Sequence, residues 1–138
     1  MKVGIALGSN LGDRGEYIYR AIERLREVHE GEDSDFLEAT LIETEPVDCA
    51  PGTPNFLNTV VELESSLEPL AILDFCQQIE RDLGRPDVRE KNSPRTVDVD
   101  MLYVGDIEMN DDRLILPHPR MHEREFVMVP LRELGVIE

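Results

Sequence analysis

The sequence predicts an α+β protein with the order strand, helix, strand, strand, helix, strand, followed by further elements. Two observations lead to this prediction. Short apolar runs mark four strands, and two longer segments repeat apolar residues every three to four positions, as amphipathic helices do. The order is that of a ferredoxin-like βαββαβ sandwich, here with an extra hairpin and a C-terminal helix. We find no repeat, low-complexity tract or linker, so residues 1–138 are predicted to form a single domain.

The chain begins with a strand and a helix. Val3–Leu7 is a short apolar run, and residues 8–12 after it are predicted to form a turn. Asp13 is expected to cap the following helix, with Glu16 three residues later as its capping-box partner. Apolar residues then recur at helical spacing, namely Ile18, Ala21, Ile22, Leu25 and Val28. The helix is expected to end within residues 31–34.

Two strands and a loop come next. Phe36–Ile42 and Leu57–Leu63 are rich in apolar and β-branched residues, which is typical of strands. Residues 45–54 between them hold three prolines and a glycine, and this composition predicts a loop.

A second helix and a fourth strand follow. Pro69 suits the first turn of a helix, and Gly84 is expected to end it. The apolar face of this helix consists of Ile72, Cys76, Ile79 and Leu83. Val97–Met101 alternates strictly between apolar and acidic residues, as a half-buried strand does.

Three shorter segments complete the chain. Residues 85–94 are polar and carry prolines near both ends, which predicts a loop that orders over a bound nucleotide. Residues 105–106 are predicted to form a turn before a short hairpin. The chain after Pro119 is predicted to be mostly helical up to Leu134.

The net charge is −16, from 14 Lys and Arg against 30 Asp and Glu. This argues against binding to duplex nucleic acid or to an anionic membrane surface. The basic residues are nonetheless concentrated, because none lies between positions 27 and 80 and eight lie between positions 81 and 124. Such a concentration either focuses positive charge on an anionic ligand or is a set of solvated surface charges.

Three further features of the sequence indicate the cellular location of the protein. No apolar run approaches the ~20 residues of a membrane span, and no small-residue cleavage site of a signal peptide follows the N-terminus. Cys49 and Cys76 form neither a zinc-binding pattern nor a disulfide framework. We therefore expect a cytoplasmic protein with two reduced thiols.

Asp98 and Asp100 are the first candidates for chemistry. Residues two apart in a strand point to the same face, roughly 7 Å apart, so the two carboxylates repel each other unless a cation lies between them. Oxygen ligands suit Mg²⁺, which completes its shell with water and phosphate. The alternative is an ordinary solvated strand face. Arg95, three residues upstream, favours the metal, because acidic and basic groups together are typical of polyphosphate sites.

Residues 117–126 hold a second group of candidate ligands. Four of them can donate to an anion, namely His118, Arg120, His122 and Arg124. Residues 8–12 either cradle a phosphate, as a glycine-rich turn does, or are only a tight strand-to-helix connection. The Walker motif is absent, which excludes ATPases of that class.

Four segments resemble one enzyme family. Residues 93–102, SPRTVDVDML, are similar to the signature of the 6-hydroxymethyl-7,8-dihydropterin pyrophosphokinases of folate biosynthesis. Residues 6–12 (ALGSNLG), 55–58 (NFLN) and 117–126 (PHPRMHEREF) resemble further segments of that family in the same order. The resemblance covers nearly the whole chain, and it implies the same ferredoxin-like fold as the element order does.

The resemblance also implies roles for individual residues. Asp98 and Asp100 would hold two Mg²⁺ ions that bridge the phosphates of ATP, and would act in catalysis with Arg85 and Arg95. The residues implied for ATP binding are Gln77, Arg89, Lys91, Arg95, Arg113, Leu114, His118 and Arg124. Those implied for the pterin are Thr44, Val47, Phe56, Asn58 and Phe126, with the two phenylalanine rings on either side of the heterocycle.

The implied reaction moves the pyrophosphoryl group of ATP to the hydroxymethyl oxygen of the pterin, which yields AMP and the pterin diphosphate. The implied partners are ATP and 6-hydroxymethyl-7,8-dihydropterin, with no nucleic acid and no membrane, and a monomer is the simplest expectation. Asn92 and Ser93 depart from the family pattern, which often has Trp and Gly there. A non-catalytic module that binds nucleotide or metal and an acidic interaction domain are the alternatives, and turnover separates the enzyme from both.

Overall fold

The computed structural model describes residues 1–10, 12–45, 52, 55–84 and 97–136. Within these residues the strands are β1 (Lys2–Ser9), β2 (Leu37–Glu38), β3 (Ile42–Thr44), β4 (Phe56–Glu64), β5 (Asp98–Val104), β6 (Met109–Asn110) and β7 (Ile115–Leu116). The α-helices are α1 (Arg14–Arg26), α2 (Pro69–Asp82) and α3 (Glu125–Leu134), and short 3₁₀ turns cover Asp33–Asp35 and Met121–Glu123.

The strands form one antiparallel sheet and one separate hairpin. The sheet order is β2-β4-β1-β5, and β3 also pairs with β4, so that β1 lies in the middle and β5 at one edge. Strands β6 and β7 pair only with each other among the described strands. The predicted α+β class, with a hairpin and a C-terminal helix, is confirmed.

The two faces of the sheet carry different cores. Val3, Ile5 and Leu7 of β1 are buried in the larger core, which also holds the apolar faces of α1 and α2. The opposite face carries Gly4, Ala6 and Gly8, because side chains alternate along a strand. Helix α3 packs on this second face, where Val127 and Leu131 join a smaller core with Val60 and Leu102.

Helix α1 begins as predicted but ends early. The Asp13 carboxylate accepts the backbone N–H of Glu16 at 3.2 Å, which satisfies one of the donors at the helix start. The helix ends at Arg26, and the predicted end within residues 31–34 is therefore wrong. The reason is tertiary, since the Glu30 N–H donates to the Glu64 carbonyl at 2.8 Å and the chain turns toward the end of β4.

The predicted strand Phe36–Ile42 is also wrong in detail. Two short strands, β2 and β3, pair with β4, and residues 39–41 interrupt them. The Thr40 N–H donates to the carboxylate of Glu133 on α3, at 2.6 Å to Oε2, instead of joining a strand ladder. Packing of α3 thus breaks a strand that the local sequence favours.

The remaining elements lie close to their predicted positions. Strand β4 and helix α2 cover the predicted segments, with Pro69 in the first helical turn and Gly84 at a φ of 103° after the last. Strand β1 continues through Ser9, so the predicted turn at residues 8–12 begins too early. Strand β5 starts one residue later than predicted and extends to Val104. None of the helices in the described part of the chain is long and apolar enough to cross a membrane.

Candidate active site

A single row of residues crosses four strands of the sheet. Ile42, Asn58, Gly8 and Asp98 face one another on β3, β4, β1 and β5, in that order. Adjacent strands lie about 4.8 Å apart, so Asn58 and Asp98 are separated by about 10 Å across Gly8. Residues implied for the pterin and for the metal therefore lie on either side of one glycine.

The alternation predicted for β5 is confirmed. Val99 and Met101 are buried in the larger core, whereas Asp98 is half-buried and Asp100 is exposed on the opposite face. Two carboxylates with this placement fit Mg²⁺, which commonly takes one or two protein carboxylates and otherwise water and phosphate oxygens. The part of the chain that the structure describes holds no cluster of three or more His, Cys, Asp and Glu side chains suited to a metal. Within this described part, a cation here would have Asp98 and Asp100 as its carboxylate ligands, and water or phosphate oxygens would complete its shell.

The outer edge of β5 borders a cavity of about 310 Å³. The His118 N–H donates to the Leu102 carbonyl at 2.7 Å, which fixes the segment after β7 beside this edge strand. The cavity lining includes Asp100 of β5, Leu73 of α2, and Arg113, Leu114 and His118. One of the two predicted metal ligands and three of the predicted ATP ligands therefore share a cavity.

Gln77 is the fourth predicted ATP ligand in this region. The Arg113 guanidinium donates to Asp74 Oδ1 at 2.5 Å and to Gln77 Oε1 at 3.3 Å, and both partners lie on α2. The hairpin that carries Arg113 is thereby connected to the helix. Arg113 and Asp74 are largely exposed, so this ion pair can exchange for a ligand at small cost.

A hydrogen bond to the ring of His118 indicates which of its nitrogens carries the proton. Its Nδ1 accepts the backbone N–H of Arg120 at 3.2 Å, so the proton of the neutral imidazole is on Nε2. Partial burial lowers the pKa of His118, and the positive charges of Arg124 and Arg120 lower it further. An anion that binds here would reverse the effect of those charges and favour the imidazolium.

The two arginines next to His118 differ in their surroundings. Arg124 is half-buried, and its guanidinium lies 5.6 Å from the centroid of the Phe126 ring. Arg120 is exposed and pairs with Glu123 at 3.5 Å, and His122 is exposed as well. Of the four donors noted in residues 117–126, the structure brings His118 and Arg124 together, and it leaves Arg120 and His122 at the surface.

Four of the residues implied for the pterin belong to the described part of the chain, and they lie on the second face of the sheet. Asn58 is buried, and its Nδ2 donates to Thr44 Oγ1 at 2.7 Å. Phe56 pairs with Thr44 across β3 and β4, and its Cδ1 would lie 3.6 Å from a Cβ at Gly8. Phe126 is partly buried on the same face, against the smaller core to which Ala6 also contributes. The two phenylalanine rings thus share one face of the sheet.

Sequence reasoning missed Glu80. Its carboxylate is buried, and Oε2 accepts the N–H of Val99, the residue between the two aspartates, at 2.8 Å. The sequence did contain a signal, since Glu80 lies one turn after Cys76 and next to Ile79, on the apolar face of its helix.

Other buried groups lie near this site. Burial raises the pKa of the Cys76 thiol, and the charges of Glu80 and Asp100 add to the effect. Ser9 and Asn10, which belong to the predicted turn at residues 8–12, are two further buried polar residues.

Some predicted site residues lie outside the described residues. They are Val47, Arg85, Arg89, Lys91 and Arg95. The predicted closing loop at residues 85–94, most of the loop at 45–54 and one residue of the turn at 8–12 lie outside them too. The roles of these residues stay predictions from the resemblance.

Comparison with known proteins points to one family. A family model described as 7,8-dihydro-6-hydroxymethylpterin-pyrophosphokinase matches residues 4–136. A 2-amino-4-hydroxy-6-hydroxymethyldihydropteridine pyrophosphokinase of Bacillus subtilis is 42% identical over 131 residues, which cover 94% of this chain and 75% of the relative. The protein of the same name from Haemophilus influenzae is 38% identical over 134 residues, covering 95% of this chain and 79% of the relative.

Longer relatives contain the same unit. The mitochondrial folate synthesis bifunctional protein of Pisum sativum is 38% identical over 135 residues, which are 96% of this chain but only 25% of that protein. The family match spans almost every described element, from β1 to the end of α3. The chain therefore belongs to the 7,8-dihydro-6-hydroxymethylpterin-pyrophosphokinase family, whose enzymes act in folate biosynthesis.

Proposed function

We propose that this chain transfers the pyrophosphoryl group of ATP to the hydroxymethyl oxygen of 6-hydroxymethyl-7,8-dihydropterin. Family membership supplies the activity, and one observation supports its assignment to this site. Gly8 separates Asn58 from Asp98 in a single row across the sheet, so a group bound at Asn58 would lie beside phosphates held near Asp98. Such juxtaposition of two substrates is a main source of rate in phosphoryl transfer.

The nucleotide would occupy the cavity at the outer edge of β5. Leu73 and Leu114 give this cavity an apolar lining suited to a flat base, and Gln77 lies within reach of Arg113 at its border. The triphosphate would run from there toward Asp100 and His118. Arg124 and, by the resemblance, Arg85, Arg89, Lys91 and Arg95 would add positive charge along its length. This use of the cations explains why they are concentrated in one third of an acidic chain.

The pterin would bind on the second face of the sheet, over Gly8. The absence of a side chain at Gly8 would let a flat ring approach the strand backbone, and by the resemblance Phe56 and Phe126 would lie on either side of that ring. Asn58 and Thr44 hold each other by a hydrogen bond, so the Asn58 amide is oriented before a ligand arrives. Val47, by the resemblance, would add a main-chain contact.

In the reaction, the hydroxymethyl oxygen forms a bond to the β-phosphorus of ATP, and the bond from that phosphorus to the oxygen bridging the α-phosphate breaks. AMP leaves with that bridging oxygen, and the hydroxyl proton passes to solvent. Asp98 and Asp100 would hold two Mg²⁺ ions, which when bound would neutralise charge on the phosphates. His118 Nε2 and the Arg124 guanidinium would donate to phosphate oxygens as charge moves toward the leaving group.

We also infer that the fold is the ferredoxin-like sandwich. The supporting observation is the sheet order β2-β4-β1-β5 with α1 and α2 on one face. In this order the first and third strands of the βαββαβ unit, β1 and β4, form the central pair. A cytoplasmic location and a monomeric state stay predictions.

The decisive experiment is a chromatogram of nucleotides and pterins after the chain is incubated with ATP, Mg²⁺ and 6-hydroxymethyl-7,8-dihydropterin. AMP is expected to rise in step with the loss of pterin, and only when the pterin is present. ADP together with a pterin monophosphate would mean attack at the γ-phosphorus and would overturn the proposed transfer. The absence of any product, with MgATP binding retained, would favour the non-catalytic module.

A further inference from the structure

Glu80 is a buried carboxylate that the proposed mechanism does not use. It lies on α2 with 7% of its surface exposed, and its Oε2 accepts the Val99 N–H at 2.8 Å. Val99 is the residue between Asp98 and Asp100. Burial of a carboxylate costs free energy unless hydrogen bonds compensate for the lost hydration. The burial of Glu80 therefore needs a structural or functional explanation.

The hydrogen bond from Val99 to Glu80 involves the backbone that connects Asp98 to Asp100. Val99 pairs with Leu7 of β1, and β5 is an edge strand of the sheet formed by the described residues, so none of the described strands accepts its outward N–H. Glu80 provides the acceptor for this donor. The peptide plane that precedes Val99 also fixes the ψ angle of Asp98, and the φ and ψ angles of Val99 set the direction of Asp100 relative to Asp98.

Other contacts fix both sides of this short segment. Toward the C-terminus, the Leu102 carbonyl accepts the His118 N–H at 2.7 Å. On the core side, Val99 and Met101 are buried against the helices. Glu80 therefore completes the set of restraints that holds Asp98 and Asp100 at the same face.

We infer that Glu80 is a positioning residue for the metal-binding pair, acting through the Val99 backbone rather than on a ligand. This inference rests on the proposed function, because it takes Asp98 and Asp100 as the ligands of Mg²⁺. Hydrogen-bonding partners behind metal ligands are commonly worth about 10- to 100-fold in metal affinity. Glu80 differs from the usual case in that it orients the ligands through their shared backbone.

The test measures ATP binding by calorimetry without the pterin, so that no turnover occurs, once with Mg²⁺ and once with EDTA. Glu80→Ala is expected to raise the dissociation constant of MgATP about 10-fold and to leave that of metal-free ATP within about twofold. Glu80→Gln keeps an oxygen acceptor for the Val99 N–H and is expected to restore MgATP binding. Amide exchange of Val99 should be faster in Glu80→Ala than in Glu80→Gln.

Glu62 provides a matched control. It is also a buried glutamate, on β4, and it accepts the hydroxyl of Tyr103 while lying 3.7 Å from Lys2 Nζ. Glu62→Ala should lower the free energy of unfolding and leave the effect of Mg²⁺ on ATP binding unchanged. A parallel loss in Glu62→Ala would mean that Glu80 acts only through general stability.

The outcomes separate this inference from the proposed function. If Asp98→Asn binds MgATP like the unmodified chain, the assignment of the metal site fails and the inference falls with it. If Asp98→Asn loses the Mg²⁺ effect and Glu80→Ala keeps it, only the inference is overturned. If Glu80→Ala does not fold, Glu80→Asp is compared with Glu80→Gln instead. Glu80→Asp keeps the negative charge but moves the acceptor away from the Val99 N–H. Equal MgATP affinities of these two variants would overturn the inference.

Discussion

Gly8 on β1 faces Asn58 on β4 so closely that a methyl group at position 8 would lie 3.0 Å from Asn58 Oδ1. The Asn58 amide cannot easily move away, because its Nδ2 donates to Thr44 Oγ1. Gly8 also faces Asp98 on the other side. The space above this glycine is therefore bounded by residues that we assign to both substrates.

Gly8→Ala is expected to weaken pterin binding more than MgATP binding, because the added methyl group displaces Asn58. Overpacking of this kind costs about 1–3 kcal/mol. Calorimetric titration of each substrate checks the result. Gly15→Ala is the control, since a Cβ at that position in α1 meets nothing within 4 Å and should leave both affinities unchanged. Equal losses for the two substrates would contradict the placement of the pterin over Gly8.

Asp98→Asn and Asp100→Asn should each reduce turnover by at least about 100-fold, because bound metal supplies several kcal/mol of charge stabilisation. Both variants should fold, since the change removes repulsion between two carboxylates on one strand face and keeps their size. Initial rates at saturating substrates and thermal unfolding check these two expectations. Asp106→Asn, an exposed aspartate in the turn after β5, is the control and should turn over normally. Near-normal rates in both site variants would remove the metal assignment.

Thr44→Val should raise the dissociation constant of the pterin about fivefold, which corresponds to about 1 kcal/mol for one hydrogen bond. The substitution keeps the shape of the side chain but removes the acceptor that orients Asn58. Fluorescence or calorimetric titration with the pterin measures the change. Thr59→Val is the matched control, because Thr59 is the neighbour of Asn58 in β4 and its hydroxyl donates to the Ala39 carbonyl at 2.8 Å. Thr59→Val should lower the free energy of unfolding without changing the affinity for the pterin. A loss of pterin affinity similar to that of Thr44→Val would contradict the proposed orientation of Asn58.

The His118 side chain should make folding and ligand binding depend on pH. Its pKa in the folded chain is lower than the ordinary value of 6.5, chiefly because of partial burial and then because of Arg124 and Arg120. Unfolding therefore takes up a proton at pH values between the folded and unfolded pKa. The stabilising contribution is present above pH 6.5 and is lost as the pH falls through the folded pKa.

The free energy of unfolding, measured with urea, should thus decline less between pH 7.5 and pH 5.5 in His118→Gln than in the unmodified chain. The variant His122→Gln, at an exposed histidine, is the control. Phosphate binding should raise the His118 pKa, since an anion offsets the two arginines. Ring resonances of His118 in an NMR titration, with and without metal-free ATP, measure this shift. No change in the His118 pKa when metal-free ATP binds would contradict a phosphate contact.

The sequence alone predicted which face of several segments is buried, and it supplied the candidate ligand-binding residues. The alternation of apolar and acidic residues in Val97–Met101 is typical of a strand with one buried face. This pattern therefore predicted that the aspartates of β5 lie on the face opposite to the larger core. The cap at Asp13 and the helix starting at Pro69 were predictable in the same way, because caps and helical spacing depend on residues a few positions apart. The four family segments added the assignment of substrates.

The tertiary structure decided how these segments meet. Gly8, Asn58 and Asp98 come from distant parts of the chain, and only the registers of β4 and β5 on β1 bring them into one row. The same holds for the early end of α1, where Glu30 bonds to β4, and for Glu80 beneath the aspartates. Periodicity within one segment shows which side is buried. It does not show what covers that side, because strand pairing and helix packing depend on the combined free energy of elements far apart in sequence.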